Sequence, residues 1–323
     1  MNMIFIIFSF IAAIVPMVSY MAVIWRLDKY DREPLWLVSL NFAWGAFGAV
    51  IIGLVIGSFF ERSFSGVIFN AQNKDMISSL LTAPIVEELA KAVFLIFVTA
   101  PLKIFDNMTD GVVYGAAIGF GFGMTENFLY FLNAETIDKW LILVPMRSIL
   151  SAVMHACSTS AVGAFVGYSK FQTKKKKIWL ILLGLLTAMI IHFVWNFSVT
   201  VGSGKLTLVG ITFIFVSVLI MFALFESSLS IESKLIKKEL TEESGLGLIP
   251  AKHLNYLPYS HLRNRTNWIS QNINRLRYIK TATTLAFRKQ QYKNCDESQK
   301  AFYEKEIEDA REEIGYILYG RPI

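Results

Sequence analysis

Seven side chains stand where an apolar sequence has no structural use for them: Glu87, Glu88, Lys91, Glu126, Arg147, His155 and His192, each inside a long hydrophobic stretch. An ionised residue at the middle of a membrane helix is disfavoured by roughly 2.5 to 3.5 kcal/mol, so such residues face a protein interior or a water-filled cavity. A lone intramembrane histidine is ordinarily an interhelical hydrogen bonder. Two histidines with three glutamates on neighbouring stretches point instead to one shared polar cavity that does chemistry. Hydrolysis of a peptide bond fits the set, because it needs an activated water, a proton for the leaving amine, and donors or a cation for the oxyanion. A glutamate in such a cavity is suited to take a proton from water and return it to the amine.

Two mechanisms are open on these residues. His155, His192 and Glu126 form a chemically reasonable zinc set, and zinc would acidify a bound water and polarise the carbonyl. Without a metal, a glutamate and a histidine would activate water while His192 and Asn196 line an oxyanion site. No HExxH motif is present, so the single-helix arrangement of many zinc proteases is absent.

Helical spacing decides which side chains share a face. Glu87 and Lys91 are four residues apart, with Glu88 turned about 100° away, so Lys91 can hold one glutamate ionised while the other stays free. Pro84 just before them removes a backbone hydrogen bond and helps open the helix to water. Phe122 and Glu126 are one turn apart, with Asn127 and Tyr130 extending a polar edge. His155 pairs in the same way with Thr159, and His192 with Asn196. Gly111, Gly115, Gly119 and Gly123 form a small-residue stripe that reads as close helix packing.

The elements that position these residues follow from composition. Of 323 residues, 54% are hydrophobic and 17% charged, and the mean hydropathy is +0.48. A soluble core could not hide that much apolar surface. Seven stretches are long enough for a membrane helix of about 20 residues: Met3 to Trp25, Leu35 to Phe60, Ile77 to Ala100, Gly111 to Phe131, Leu141 to Tyr168, Ile178 to Thr200 and Leu206 to Phe225. The expected fold is therefore all-α, a polytopic membrane helix bundle of about seven transmembrane helices. Residues 1–227 make the membrane domain and 228–323 a cytoplasmic helical tail. The first stretch lacks a basic leader and a small-residue cleavage site, so it reads as a retained span.

With the N-terminus outside, the inner loops hold nine basic residues (Arg26, Lys29, Arg32, Lys103, Lys170 and Lys174 to Lys177) and the outer loops four (Arg62, Lys74, Lys139 and Lys205). That bias favours an N-out, C-in membrane protein. At about 1.5 Å rise per residue, Glu87, Glu126 and His192 then lie roughly 8 to 15 Å below the outer surface, with His155 somewhat deeper. The net charge of +6 reads as topology signal and lipid-surface contact, with no nucleic-acid partner. Cys157 and Cys295 fall in different compartments and form no disulfide or thiol metal site. The tail reads as a polar stretch from Ile231 to Glu243, a Pro-punctuated connection, and a helical hairpin of His261 to Tyr292 and Ser298 to Leu318 turning at Asn294 to Glu297.

Four segments in this order resemble one family. They are Glu-Glu-Leu-Ala-Lys at Glu87 to Lys91, the run from Asp110 through Gly-Met-Thr-Glu-Asn at Asn127, the segment from Arg147 to His155, and His-Phe-Val-Trp-Asn at His192 to Asn196. Together, and with Asp28-Lys-Tyr-Asp-Arg-Glu-Pro34 before them, they are similar to the PrsW family, which belongs with the CAAX-prenyl endopeptidases and bacteriocin-processing proteins. The resemblance implies a bacterial intramembrane peptidase. It makes Glu87 and Glu88 the paired glutamates of the first motif and Glu126 the acid of the second. His155 and His192 become the later histidines and Asn196 the companion of the last, with Lys91 and Arg147 supporting. Relatives in the wider superfamily carry a histidine where this motif has Glu126. The implied substrate is a single-span membrane protein of the anti-sigma-factor kind, cut near its extracytoplasmic end.

A proton-coupled transporter is the main alternative, since intramembrane acids and histidines also build ion paths, but no internal repeat is visible. A non-catalytic sensor or scaffold is the other.

Overall fold

The computed structural model describes residues 3–64 and 74–321; it is 83% helical with no strands among the described residues. The contacts divide the chain into two compact units. The first comprises Met1–Leu27 with Glu33–Phe225, and the second Asp28–Arg32 with Glu226–Ile323. In the first unit run α1 (Met3–Leu27), α2 (Leu35–Ser63), α3 (residues 74–99), α4 (Met108–Leu132), α5 (Ile137–Tyr168), α6 (Lys174–Thr200) and the start of α7 (Gly204–Gly245).

Five of these, α1, α2, α5, α6 and α7, are long and apolar enough to cross a membrane by length and composition. The other two expected stretches also form helices, but α3 carries Glu87, Glu88 and Lys91 together, and the glycines and polar edge of α4 dilute its hydropathy. The residues that make chemistry possible are thus the ones that weaken the span signal.

α4 is the central helix. It starts with a reciprocal cap in which Asn107 Oδ1 accepts from the Asp110 amide and Asp110 Oδ2 accepts from the Asn107 amide. Seventeen of its residues are buried, so no amphipathic stripe is needed. Its glycine stripe meets α5 backbone to backbone. A Cβ at Gly111, Gly115 or Gly119 would lie 1.9, 2.5 or 2.3 Å from the carbonyl oxygens of Gly163, Thr159 or His155. Gly121 does the same on another face, against the Phe42 carbonyl of α2 at 2.0 Å. Met17 of α1, Phe120 of α4 and Ala152 of α5 close one apolar cluster, and Met154, Ile191, Trp195 and Ile214 tie α5, α6 and α7 in another.

In the second unit α7 runs unbroken past Phe225 to Gly245, because no Gly or Pro interrupts residues 226–244. The expected helix from His261 is shorter than read. Only Ser260–Arg263 (α8) is helical before α9 (Arg275–Asn294), since the run of Asn and Ser between them favours turns, and Asn274 caps α9 through the Arg277 amide. α10 (Glu297–Tyr319) completes the hairpin. Ile236, Leu240, Tyr278, Leu285 and Ile314 form the core of this unit, with Tyr30 from the Asp28–Arg32 segment packed on it and hydrogen bonded to the Pro258 carbonyl at 3.0 Å. Glu243, fully buried, accepts from Lys289 at 2.6 Å and from Arg311 at 2.8 and 2.9 Å. Burial opposes its charge, but the Arg311 and Lys289 hydrogen bonds prevail and hold it below the ordinary carboxylate range.

Gly119→Ala is expected to destabilise the helix pair by about 1 to 3 kcal/mol, seen as a lower Tm in detergent, because the His155 carbonyl it would strike is backbone. A depressed carboxylate stabilises the fold above its unfolded value and loses that contribution as pH falls through the folded one. Glu243→Gln should therefore weaken the second unit by roughly 3 kcal/mol near neutrality, with the deficit shrinking below about pH 4. Hydrogen exchange of α9 and α10 in the full chain reads both effects.

Candidate active site

Four helices deliver the polar residues to one place. Glu87, Glu88 and Lys91 lie on the Ala83–Phe94 stretch of α3, entered through a π-helical segment, Ser78–Thr82, with Pro84 in the first turn. Glu126 comes from α4. Arg147 opens a second π-helical segment, Arg147–Ser151, within α5, and His155 follows one turn later. His192 is on α6. Such π segments re-aim side chains and are common at functional sites.

Glu88 is the hub, 1% exposed. Its Oε1 accepts from Lys91 Nζ and from His192 Nδ1, both at 2.8 Å, and its Oε2 accepts from Ser158 Oγ at 3.1 Å. Of the two glutamates spacing puts within reach, Lys91 hydrogen bonds Glu88 and stays 3.9 Å from Glu87. Burial decides this, because the carboxylate with no water access needs the cation. Lys91 Nζ also lies 2.9 Å from His155 Nδ1 and 4.0 Å from the centre of the Phe122 ring. As Lys91 only donates, His155 Nδ1 accepts and the ring proton sits on Nε2, facing Glu126 Oε2 at 2.7 Å. Arg147 Nη2 is 2.8 Å from the same oxygen, an ion pair without hydrogen-bond alignment. Arg147 Nε donates to Asn127 Oδ1 at 3.1 Å, and the guanidinium lies 3.6 Å over the Tyr130 ring.

Two atoms are left facing each other. His192 Nε2 lies 3.9 Å from Glu87 Oε2, which is buried and has no hydrogen-bond partner. A ligand atom from each of Glu87, His155 and His192 falls within 4.8 Å of the others. A polar cavity of about 490 Å³ reaches Glu87, Glu126, Arg147 and His192 from Lys74 and Thr200 at the helix ends.

Of the residues singled out from sequence, Glu87, Glu88, Lys91, Glu126, Arg147, His155 and His192 are brought together. Asn196 lines the same cavity, but its amide nitrogen donates to the Ser79 carbonyl at 2.8 Å. Thr159 turns back to the His155 carbonyl at 3.0 Å. Ser158 was not singled out: it sits in a Cys-Ser-Thr-Ser run of small residues, and only its placement three residues after His155 hints at a role.

The model of the PrsW family of intramembrane metalloproteases matches residues 33–225. The chain belongs to this family. It is 26% identical over 192 residues to Protease PrsW of Bacillus subtilis (strain 168), covering 58% of this chain and 81% of that protein. It is 29% identical over 189 residues to Protease PrsW of Clostridioides difficile (strain 630), covering 58% and 77%. Over 198 residues it is 29% identical to Protease PrsW of Oceanobacillus iheyensis, covering 61% and 85%. No solved structure matches. The PrsW match holds every site residue and ends at Phe225, where the first unit ends. A multi-pass bacterial membrane protease is thereby established, and the transporter and scaffold readings lose their support.

The family description names a metal, and the donor chemistry fits one. A carboxylate with two imidazoles is the donor set of a catalytic zinc, and Glu87 Oε2 and the His192 Nε2 lone pair are not engaged by hydrogen bonds. The geometry groups Glu87 with the two histidines, whereas Glu126, expected in that place, is held between His155 and Arg147.

Lys91→Met strands the buried Glu88 carboxylate and is expected to lower stability by about 3 to 5 kcal/mol. Adding Glu88→Gln should recover much of that loss, and adding Glu87→Gln little. A double-mutant cycle in detergent measures the two couplings, and equal recovery would refute the assigned pair.

Proposed function

We propose that the chain hydrolyses a peptide bond of a single-span membrane protein near its extracytoplasmic end, by site-one cleavage of an anti-sigma-factor-like substrate. The observation that carries this is the unpartnered Glu87 Oε2 facing His192 Nε2 at the inner end of a polar cavity. The excess of basic residues in the loops assigned inside supports an N-out, C-in orientation, which makes the Lys74 and Thr200 mouth extracytoplasmic.

Glu87, His155 and His192 would hold zinc, which when bound supplies Lewis-acid polarisation of the carbonyl and an acidified water. Glu88 accepts from His192 Nδ1 and leaves its Nε2 lone pair to the cavity, and His155, held between Lys91 and Glu126, would bind by giving up its Nε2 proton in exchange for the metal. Glu126, on the cavity wall, takes the proton released as the water oxygen bonds to the carbonyl carbon. It returns that proton to the nitrogen as the C–N bond breaks. Arg147 holds Glu126 in place, and Asn196 lines the same cavity.

Co-expression with a panel of single-span membrane proteins tests the reading. The wild type should release a specific product that Glu87→Ala, Glu88→Ala, Glu126→Gln and His192→Ala reduce by about 100-fold or more at equal protein levels. In purified protein, a zinc chelator should abolish cleavage and added zinc restore it. Equal products from all variants would overturn the assignment, and cleavage insensitive to chelation would leave the glutamates to act without metal.

A further inference from the structure

A second cavity, of about 200 Å³, lies between α2, α3 and α4 and shares Glu87 and Glu126 with the polar one. Its α2 wall is Gly53, Leu54 and Gly57, and Leu129 stands on the α4 side. The outward neighbours Leu54 and Val55 are 60% and 64% exposed, so this wall borders the bilayer.

The two glycines have no packing reason. Among the described residues, every other glycine inside the helices of the first unit has a neighbour between 1.8 and 3.1 Å from where its Cβ would be, except Gly204 at a helix start. At Gly53 that position would meet only Glu87 Cγ at 3.6 Å, and at Gly57 nothing within 4 Å. A helical glycine is disfavoured by about 1 kcal/mol relative to alanine, and here no helix closes on it. Bare backbone beside an open slot admits another chain at close range. The solvent-excluded, unpartnered Glu87 Oε2 at its end marks where that chain must arrive.

We propose that this slot seats the membrane segment of the substrate, entering from the bilayer beside α2, and that Gly53 and Gly57 determine which side chains beside the cleaved bond are admitted. The polar cavity reaches Glu87 and Glu126 from the helix ends. The inference rests on the peptidase reading above for its chemistry, while the seat itself can be tested without cleavage.

Two arms separate the claims. In the first, Gly57→Leu should reduce cleavage of the reporter about tenfold or more, with a larger loss for bulky than for small residues next to the cut. Val55→Phe, on the lipid side, should leave cleavage unchanged, and both variants should match the wild type in abundance. In the second arm, Gly57→Cys or Val55→Cys is placed in a chain whose Cys157 and Cys295 are alanine and whose Glu88 is alanine to stop turnover. Each is oxidised with single-span reporters carrying one cysteine along the membrane segment. Cross-links from position 57 and not 55 are expected. Cross-linking with no cleavage by the wild type would keep the slot and remove the peptidase reading. Cleavage that Gly57→Leu leaves intact, or cross-links equal at both positions, would overturn the slot.

Discussion

A carboxylate with almost no solvent contact has to be neutralised where it stands, and in this protein Glu88 is that carboxylate. Its partners arrive from three helices: Lys91 from its own, Ser158 from α5 and His192 from α6. Each contact also orients something else. Lys91 reaches on to His155, and the bond to His192 Nδ1 leaves Nε2 free. One buried charge therefore sets the ring orientation of both histidines, and Glu87, one residue earlier, is left without a hydrogen-bond partner.

That arrangement requires helices closer together than ordinary side chains allow. The glycine stripe of α4 brings its backbone against the carbonyls of Gly163, Thr159 and His155. At that distance Glu126 on α4 meets His155 on α5 directly. The π segments at Ser78–Thr82 and Arg147–Ser151 then turn the following residues toward the same cavity. Packing and chemistry are thus coupled: the stripe that packs two helices together also sets the distance between an acid and an imidazole.

Much of the fold was legible because hydropathy and breakers act locally. The start of α2 at Leu35, the Asn294 to Glu297 turn and the ends of α5 and α6 at Tyr168 and Thr200 fall where composition changes. Hydropathy drops after Phe225, but nothing there breaks a helix, and α7 continues. The one misread helix has an equally local cause. Regular apolar spacing after His261 looks helical, yet the Asn and Ser residues before Asn274 favour turns.

Residue type and position in the chain, by themselves, determined that this is an all-helical membrane protein with Glu87, Glu88, Glu126, His155 and His192 inside its apolar helices, because placing charge in hydrocarbon is unfavourable without a reason. Which glutamate takes the lysine, that Glu87 and not Glu126 joins the two histidines, and that Asn196 bonds to Ser79 were decided only by tertiary structure. Helical periodicity says which face a residue shares. The depth of burial that forces Lys91 onto Glu88, and the backbone approach that brings Glu126 to His155, depend on helices distant in sequence.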